Sequence, residues 1–255
     1  MDSIGADEKT LDWRIETLDE TSSTNDLVSA RAREGEAGGL VVRAISQTRG
    51  KGRRGRSWFS PPGSGLYFSA LLRPSGETGI SSFLTLLLGV AAAEGLAEAT
   101  GLRVGLKWPN DLRVGGKKIG GILCEYLEPP NQPPALVAGL GINLTTREAD
   151  FPPELRESAS SVLLSGGRVP DAEHLLILLL ARIAFWYKDY ESSGFGAVRD
   201  EWLRLCDNLG EQISVHVGDE TITGKNNGID EAGRLLLEKP DGSIESITSG
   251  EVELP

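Results

Sequence analysis

The stretch Gln47-Thr48-Arg49-Gly50-Lys51-Gly52-Arg53-Arg54-Gly55-Arg56-Ser57-Trp58 decides how the chain is read. Gly50, Gly52 and Gly55 spell G-x-G-x-x-G, the fingerprint of a dinucleotide-binding βαβ unit. That fingerprint works when a helix starts within the glycines and its N-terminus holds pyrophosphate. Here the irregular stretch runs on through Ser60-Pro61-Pro62-Gly63, so a doubly wound parallel fold is set aside. The glycines instead let the backbone approach a ligand. Arg49, Lys51, Arg53, Arg54 and Arg56, with no acid among them, supply the positive charge that a helix dipole otherwise would. The competing reading is a solvated basic loop that contacts nucleic acid.

Working outward, Thr24–Arg33 reads as a short helix capped by Ser23 or Thr24, followed by a strand over 40–45 and the Gly-rich loop over 46–60. A strand over 66–72 ends at Arg73-Pro74. A helix rich in alanine and leucine fits 80–99, with Gly101 as its stop. Short strands then follow over 103–107, 112–114, 118–127 and 135–144, with a hairpin turn at Val114-Gly115-Gly116-Lys117. Asp171 can cap a helix reaching Tyr190, and another helix fits 195–205. Helices grouped apart from a run of short strands predict an α+β fold with a mixed, mainly antiparallel sheet. From Asn208 the pattern changes to closely spaced strands at 213–217, 221–224, 235–237 and 244–247. The expected organisation is therefore a large domain over 1–207 and a small SH3-like barrel over 208–255.

Composition narrows the function classes. Apolar residues at 39% and charged ones at 25% suit an ordinary soluble enzyme. The apolar run over 175–181 is far shorter than the roughly 20 residues that cross a bilayer. The acidic N-terminus, 1–8, lacks the basic-then-apolar order of a signal peptide, so a cytoplasmic protein is expected. Cys124 and Cys206 have no metal-ligand spacing and read as reduced structural thiols. A net charge of −11 disfavours general binding to nucleic acid or bilayers, and the ten acids against three bases beyond residue 207 argue against a DNA-binding barrel.

Against that acidic background two clusters stand out. Lys107-Trp108-Pro109-Asn110-Asp111 is followed by Lys117-Lys118-Ile119-Gly120-Gly121-Ile122-Leu123. An ammonium among alternating apolar residues is costly unless paired, so at least one of Lys107 and Lys118 is expected to face a phosphate or carboxylate, the alternative being a plain surface hairpin. Ser22-Ser23-Thr24-Asn25 offers hydroxyls and an amide at a helix start, where capping is the commonest use. Gly139-Leu140-Gly141-Ile142-Asn143-Leu144 leaves bare backbone on which a flat base could lie. His174, on a core-like helix, and His216, in a strand, are isolated and read as structural. No Ser/His/Asp or Cys/His set is visible, so covalent catalysis by the protein has little support.

Taken in order, Ser23-Thr24-Asn25, Gln47-Thr48-x-Gly50-x-Gly52-Arg53-x-Gly55-Arg56-x-Trp58, Lys107-Trp108-Pro109-Asn110-Asp111, Lys118-x-x-Gly121-Ile122-Leu123 and Gly139-x-Gly141-Ile142-Asn143 resemble the biotin protein ligases over about residues 20–145. The resemblance implies a class II synthetase-like catalytic domain with the C-terminal barrel. It also implies ATP-dependent activation of biotin as biotinyl-5′-AMP, and transfer to a lysine of a biotin carboxyl carrier protein, with Mg²⁺. Many bacterial relatives carry an N-terminal helix-turn-helix and act as repressors. About twenty residues before Ser23 cannot hold one, so no DNA binding is expected.

By position, the resemblance places Ser23, Thr24, Asn25 and Gln47 on the ureido ring and Gly50, Lys51, Gly52, Arg53 and Lys118 around biotin. Arg53 and Lys118 are the implied catalytic cations. Arg56, Trp58, Lys107, Asn110, Asp111, Gly121 and Asn143 are the implied adenylate contacts, with the metal ligands left unassigned. The nearest rival is a lipoate–protein ligase of the same fold, against which the 47–58 block argues. A non-catalytic nucleic-acid-binding or repressor protein is the rival from another class. Monomer against homodimer stays open.

Overall fold

The computed structural model of the chain describes residues 11–74 and 80–254, so the acidic N-terminal stretch 1–8 lies outside the described residues. A strand the sequence reading did not anticipate comes first, β1 (Arg14–Thr21). Its sequence RIETLDET is charged and largely exposed, so no apolar alternation announces it. It forms because helix α1 (Thr24–Arg33) returns the chain to lay β2 (Leu40–Gln47) parallel beside it, with Thr21 opposite Gln47. Ser23 is the cap, its Oγ accepting from the Asp26 amide at 3.4 Å.

Strand β3 (Gly65–Leu72) is wholly buried and leads to helix α2 (Ile80–Thr100). Gly101, at φ +75°, stops that helix as expected, its amide donating to the Ala97 carbonyl. Strands β4 (Gly105–Lys107), β5 (Asp111–Val114), β6 (Lys117–Leu127) and β7 (Ala135–Asn143) complete a seven-stranded sheet ordered β1-β2-β3-β7-β6-β5-β4. Gly115 and Gly116 both have positive φ, the conformation a two-residue hairpin turn requires. Apart from the β1–β2 pair the sheet is antiparallel.

Helices α3 (Ala172–Ser193) and α4 (Gly196–Leu205) join α2 on one face of the sheet. The Asp171 carboxylate caps α3 by accepting from the Glu173 and His174 amides. By length and composition alone 82–100 could cross a membrane, but most of it is buried, with Leu84, Leu87, Leu88 and Leu96 packed into the main core. Each such leucine stabilises the fold by about 1.5–3 kcal/mol relative to exposure. Helix α1 covers the other face through Val28 and Ala32, against Leu40, Val42, Leu71 and Val137.

A second, five-stranded antiparallel sheet follows, built from β8 (Gln212–Val217), β9 (Glu220–Ile229), β10 (Leu235–Glu238), β11 (Ile244–Ile247) and β12 (Glu251–Glu253). Its order is β11-β10-β9-β8-β12, so the last strand returns to pair with the first, Val252 opposite Val215. That return sets residues 250–254 against the loop the first motif forms.

Candidate active site

A cavity of about 700 Å³ opens where β2, β6, β7 and the start of α1 meet the 47–58 loop and β12. One wall is polar and buried. Ser23, Thr24 and Asn25 stand at the α1 N-terminus, each at most 5% exposed. The Gln47 Oε1 accepts from the Thr24 amide at 2.8 Å, while its Nε2 donates to Ser60 Oγ at 2.9 Å. Asn25 Nδ2 donates to Glu125 Oε2 at 2.8 Å and to the Leu123 carbonyl at 3.3 Å. Ser69, fully buried on β3, lies 2.6 Å from Asn25 Oδ1 and 2.7 Å from Thr24 Oγ1.

The opposite end is cationic. Lys107 and Lys118 share one carboxylate, Asp111, the first as a 3.7 Å ion pair and the second in direct contact. Lys107 Nζ also donates to the Val252 carbonyl at 2.8 Å, and its burial holds its pKa below the usual lysine value, against the pull of Asp111. Arg53 reaches the Gly250 carbonyl at 3.5 Å, with its pKa lowered by burial and by neighbouring Arg54. Arg56 pairs with Glu251, and Lys51 with Asp26, a bond that raises the lysine's pKa. Three cations from the first sheet and its loop thus grip three successive residues, Gly250, Glu251 and Val252, of the C-terminal unit.

Between the two ends lies the Trp58 indole. A Cβ at Gly141 would sit 2.3 Å from Trp58 Nε1, and one at Gly121 would sit 3.3 Å from its ring. Lys118 Nζ stands 5.4 Å from the ring centroid. The bare backbone expected to receive a flat base does carry a flat ring, but the ring is the protein's own. Its indole nitrogen is buried without a partner.

Of the residues that the resemblance assigns to biotin and the adenylate, all but Gly50 line the cavity: Ser23, Thr24, Asn25, Gln47, Lys51, Gly52, Arg53, Arg56, Trp58, Lys107, Asn110, Asp111, Lys118, Gly121 and Asn143. Gly50 is buried behind the loop, where a Cβ would meet the Trp58 carbonyl at 2.6 Å. It lets the loop fold on itself, with Trp58 N donating to Gly50 O at 2.8 Å. The loop is also less irregular than read, since β2 runs through Gln47 and Arg53–Gly55 forms a single 3-10 turn. Asn110 Nδ2 donates one hydrogen to the Ile122 carbonyl at 2.7 Å and Asn143 Nδ2 one to the Ser160 carbonyl at 3.0 Å, which fixes both amides with Oδ1 and a second N–H still able to meet a ligand. His174 is highly exposed and not in a core, whereas His216 lines the cavity, its Nε2 2.8 Å from Glu253 Oε2. Sequence reasoning missed residues 251–254, Ser69 and Glu125. Among the described residues no three His, Cys, Asp or Glu side chains cluster as a metal-ligand set, and both cysteines are free.

Comparison with known proteins decides the family. The Biotin/lipoate A/B protein ligase family matches residues 18–143, and the Biotin protein ligase C terminal domain matches residues 209–254. A biotin--[acetyl-CoA-carboxylase] ligase of Paracoccus denitrificans is 33% identical over 228 residues, 88% of this chain and 94% of that protein. The chain belongs to the biotin protein ligase family. It is a ligase, with the α+β architecture expected of one. The bifunctional ligase/repressor BirA of Bacillus subtilis is 35% identical over 236 residues, 92% of this chain and 72% of the relative. A biotin protein ligase from Aquifex aeolicus, solved in complex with biotin and ATP, superposes with a TM-score of 0.81 at 33% identity, covering 94% of this chain and 97% of that one.

Proposed function

We propose that this ligase uses ATP to activate biotin as its adenylate and passes it to a lysine of a biotin carboxyl carrier protein in the cytoplasm. In the first step a biotin carboxylate oxygen attacks the α-phosphorus, and pyrophosphate leaves. In the second the carrier lysine amine attacks the carbonyl of biotinyl-5′-AMP, losing a proton as AMP departs. The observation that carries this reading is one cavity with a neutral polar wall at Ser23, Thr24, Asn25 and Gln47 and a cationic end at Arg53, Lys107 and Lys118. That division fits an uncharged ureido head and the anionic groups of a carboxylate and a nucleotide.

Two anions must approach each other in the first step, so fixed positive charge lowers the barrier without reorganising. Lys118, held by Asp111 and standing over Trp58, is pre-set for this, and Arg53 is oriented by the Gly250 carbonyl. No side chain is needed as a nucleophile. A single carboxylate fits Mg²⁺, which keeps several waters and takes one or two protein carboxylates together with substrate phosphates. Asp111 and the free Oδ1 of Asn110 would hold it. When bound, the ion would neutralise phosphate charge.

The test is product identification. Incubated with biotin and ATP–Mg²⁺, the protein should yield an adenylate with the mass of biotinyl-AMP. On adding a biotin carboxyl carrier domain, a single lysine should gain a biotinyl group. Hydrolysis of ATP with neither product would refute the proposal.

A further inference from the structure

We propose that Ser69 and Glu125, neither of which lines the cavity, are positioning residues that turn Thr24 into a fixed hydrogen-bond acceptor and so select ligands carrying ring N–H donors. The proposal rests on reading this wall as the biotin site. Proton counting supports it. Both Asn25 Nδ2 hydrogens are spent, on Glu125 Oε2 and on the Leu123 carbonyl. A flipped amide would set Oδ1 against two acceptors, so its orientation is fixed by its partners. Asn25 Oδ1 can then only accept, and Ser69 Oγ, 2.6 Å away, must donate to it.

A hydroxyl has one proton. With Ser69's given to Asn25, Thr24 Oγ1 receives none from Ser69, although the two oxygens lie 2.7 Å apart. The Thr24 proton points into the wall, to Gln47 Oε1 at 3.2 Å. So oriented, the hydroxyl presents a lone pair, and no proton, to the cavity it lines. Gln47 is fixed from its other side, its Oε1 accepting from the Thr24 amide. The backbone makes room for this relay: a Cβ at Gly139 would fall 2.0 Å from Asn25 Oδ1.

Were Glu125 unable to accept, Asn25 could rotate its amide, Ser69 could donate to Thr24, and Thr24 could offer its own proton to the ligand. A wall of undefined polarity discriminates poorly, because rejection depends on leaving a committed buried group unpaired.

The measurement is ATP–pyrophosphate exchange by the full chain, run with biotin and with a biotin analogue in which a ring N–H is replaced by oxygen. Ser69→Ala and Glu125→Met should raise KM for biotin about ten-fold or more and shrink the preference over the analogue by a similar factor, with KM for ATP unchanged. Glu125→Gln, whose Oε1 can still accept from Asn25, should keep the wild-type preference. If Ser69→Ala does not fold, Ser69→Cys carries the same expectation. An unchanged preference in the Ala and Met variants, an equal rise in KM for ATP, or a Gln variant as impaired as the Met variant would overturn the relay. Absence of biotin-dependent exchange in the wild-type protein would instead overturn the biotin reading, and the relay with it.

Discussion

Gly121 and Gly141 lie directly opposite each other on adjacent strands, and the two missing side chains leave the patch on which the Trp58 ring rests. A nucleotide base cannot occupy the same patch while Trp58 touches it. In Gly141→Ala the new methyl would meet the indole nitrogen at 2.3 Å, so the ring must shift and the space for a base shrinks. KM for ATP should rise about ten-fold, and the affinity for biotin measured without ATP should stay near wild type. Calorimetric titration with each ligand separately checks this, and equal losses for both would place the patch elsewhere in the mechanism.

Lys118 sits on Asp111 with its side chain one-third exposed, so its ion pair contributes less to stability than to the site's charge. Lys118→Ala should lower kcat/KM for adenylation by about a hundred-fold or more, the scale of losing one preorganised electrostatic contact. The melting temperature should move little. An unchanged kcat/KM would reduce Lys118 to a surface lysine.

Burial lowers the Lys107 pKa from the ordinary lysine value of 10.5. The ammonium is present below that lowered value and is lost as pH rises through it, before a free lysine would titrate. Elsewhere in and around the cavity Arg53 is also lowered by burial but stays a guanidinium cation, while Lys51, Tyr67 and Cys124 shift upward, with the Cys124 thiol pushed up to about 12 by burial. Adenylation should therefore fall on an alkaline limb below 10.5, and the residual rate of Lys107→Met should lack that limb. A pH profile of kcat/KM for ATP decides the point; a limb that persists in the variant belongs to another group.

The 47–58 loop carries five cations, with Arg49, Lys51, Arg54 and Arg56 exposed, and little apolar burial to hold it. Its closed form leans on backbone bonds such as Gly52 N to Arg56 O and on the Arg56–Glu251 and Arg53–Gly250 contacts. Ordering costs roughly 1–2 kcal/mol per residue of backbone, which an anionic ligand would offset by neutralising the cations. Trypsin should cut within the loop rapidly in the free protein and much more slowly with biotin plus ATP. Equal rates in both states would refute the linkage between ligand binding and loop closure.

How much of this was legible in the sequence depends on the range of the interaction. Thr24–Arg33, Gly101 and the Gly115-Gly116 turn announce themselves through capping and positive φ, which are local. The motif residues are contiguous, so the cavity lining could be named from them. β1 could not be seen, because a charged edge strand is specified by its parallel partner β2 and not by its own pattern. β12 was invisible for the same reason, and with it the three residues that grip Arg53, Arg56 and Lys107. Ser69 and Glu125 lie 44 and 100 residues from Asn25, and nothing local marks them as its partners. Gly50 stands behind the cavity lining, since its motif position says that bare backbone is needed but not whether ligand or the loop's own Trp58 carbonyl approaches it.

If one cavity brings biotin and ATP together for adenylation, the protein must catalyse biotin-dependent pyrophosphate exchange. Wild-type protein with Mg²⁺, ATP and labelled pyrophosphate should incorporate label into ATP when biotin is present, and far less when lipoate replaces it, since lipoate offers no ring N–H to Thr24 and Gln47. Exchange that is equal with lipoate, or absent with biotin, would contradict the account.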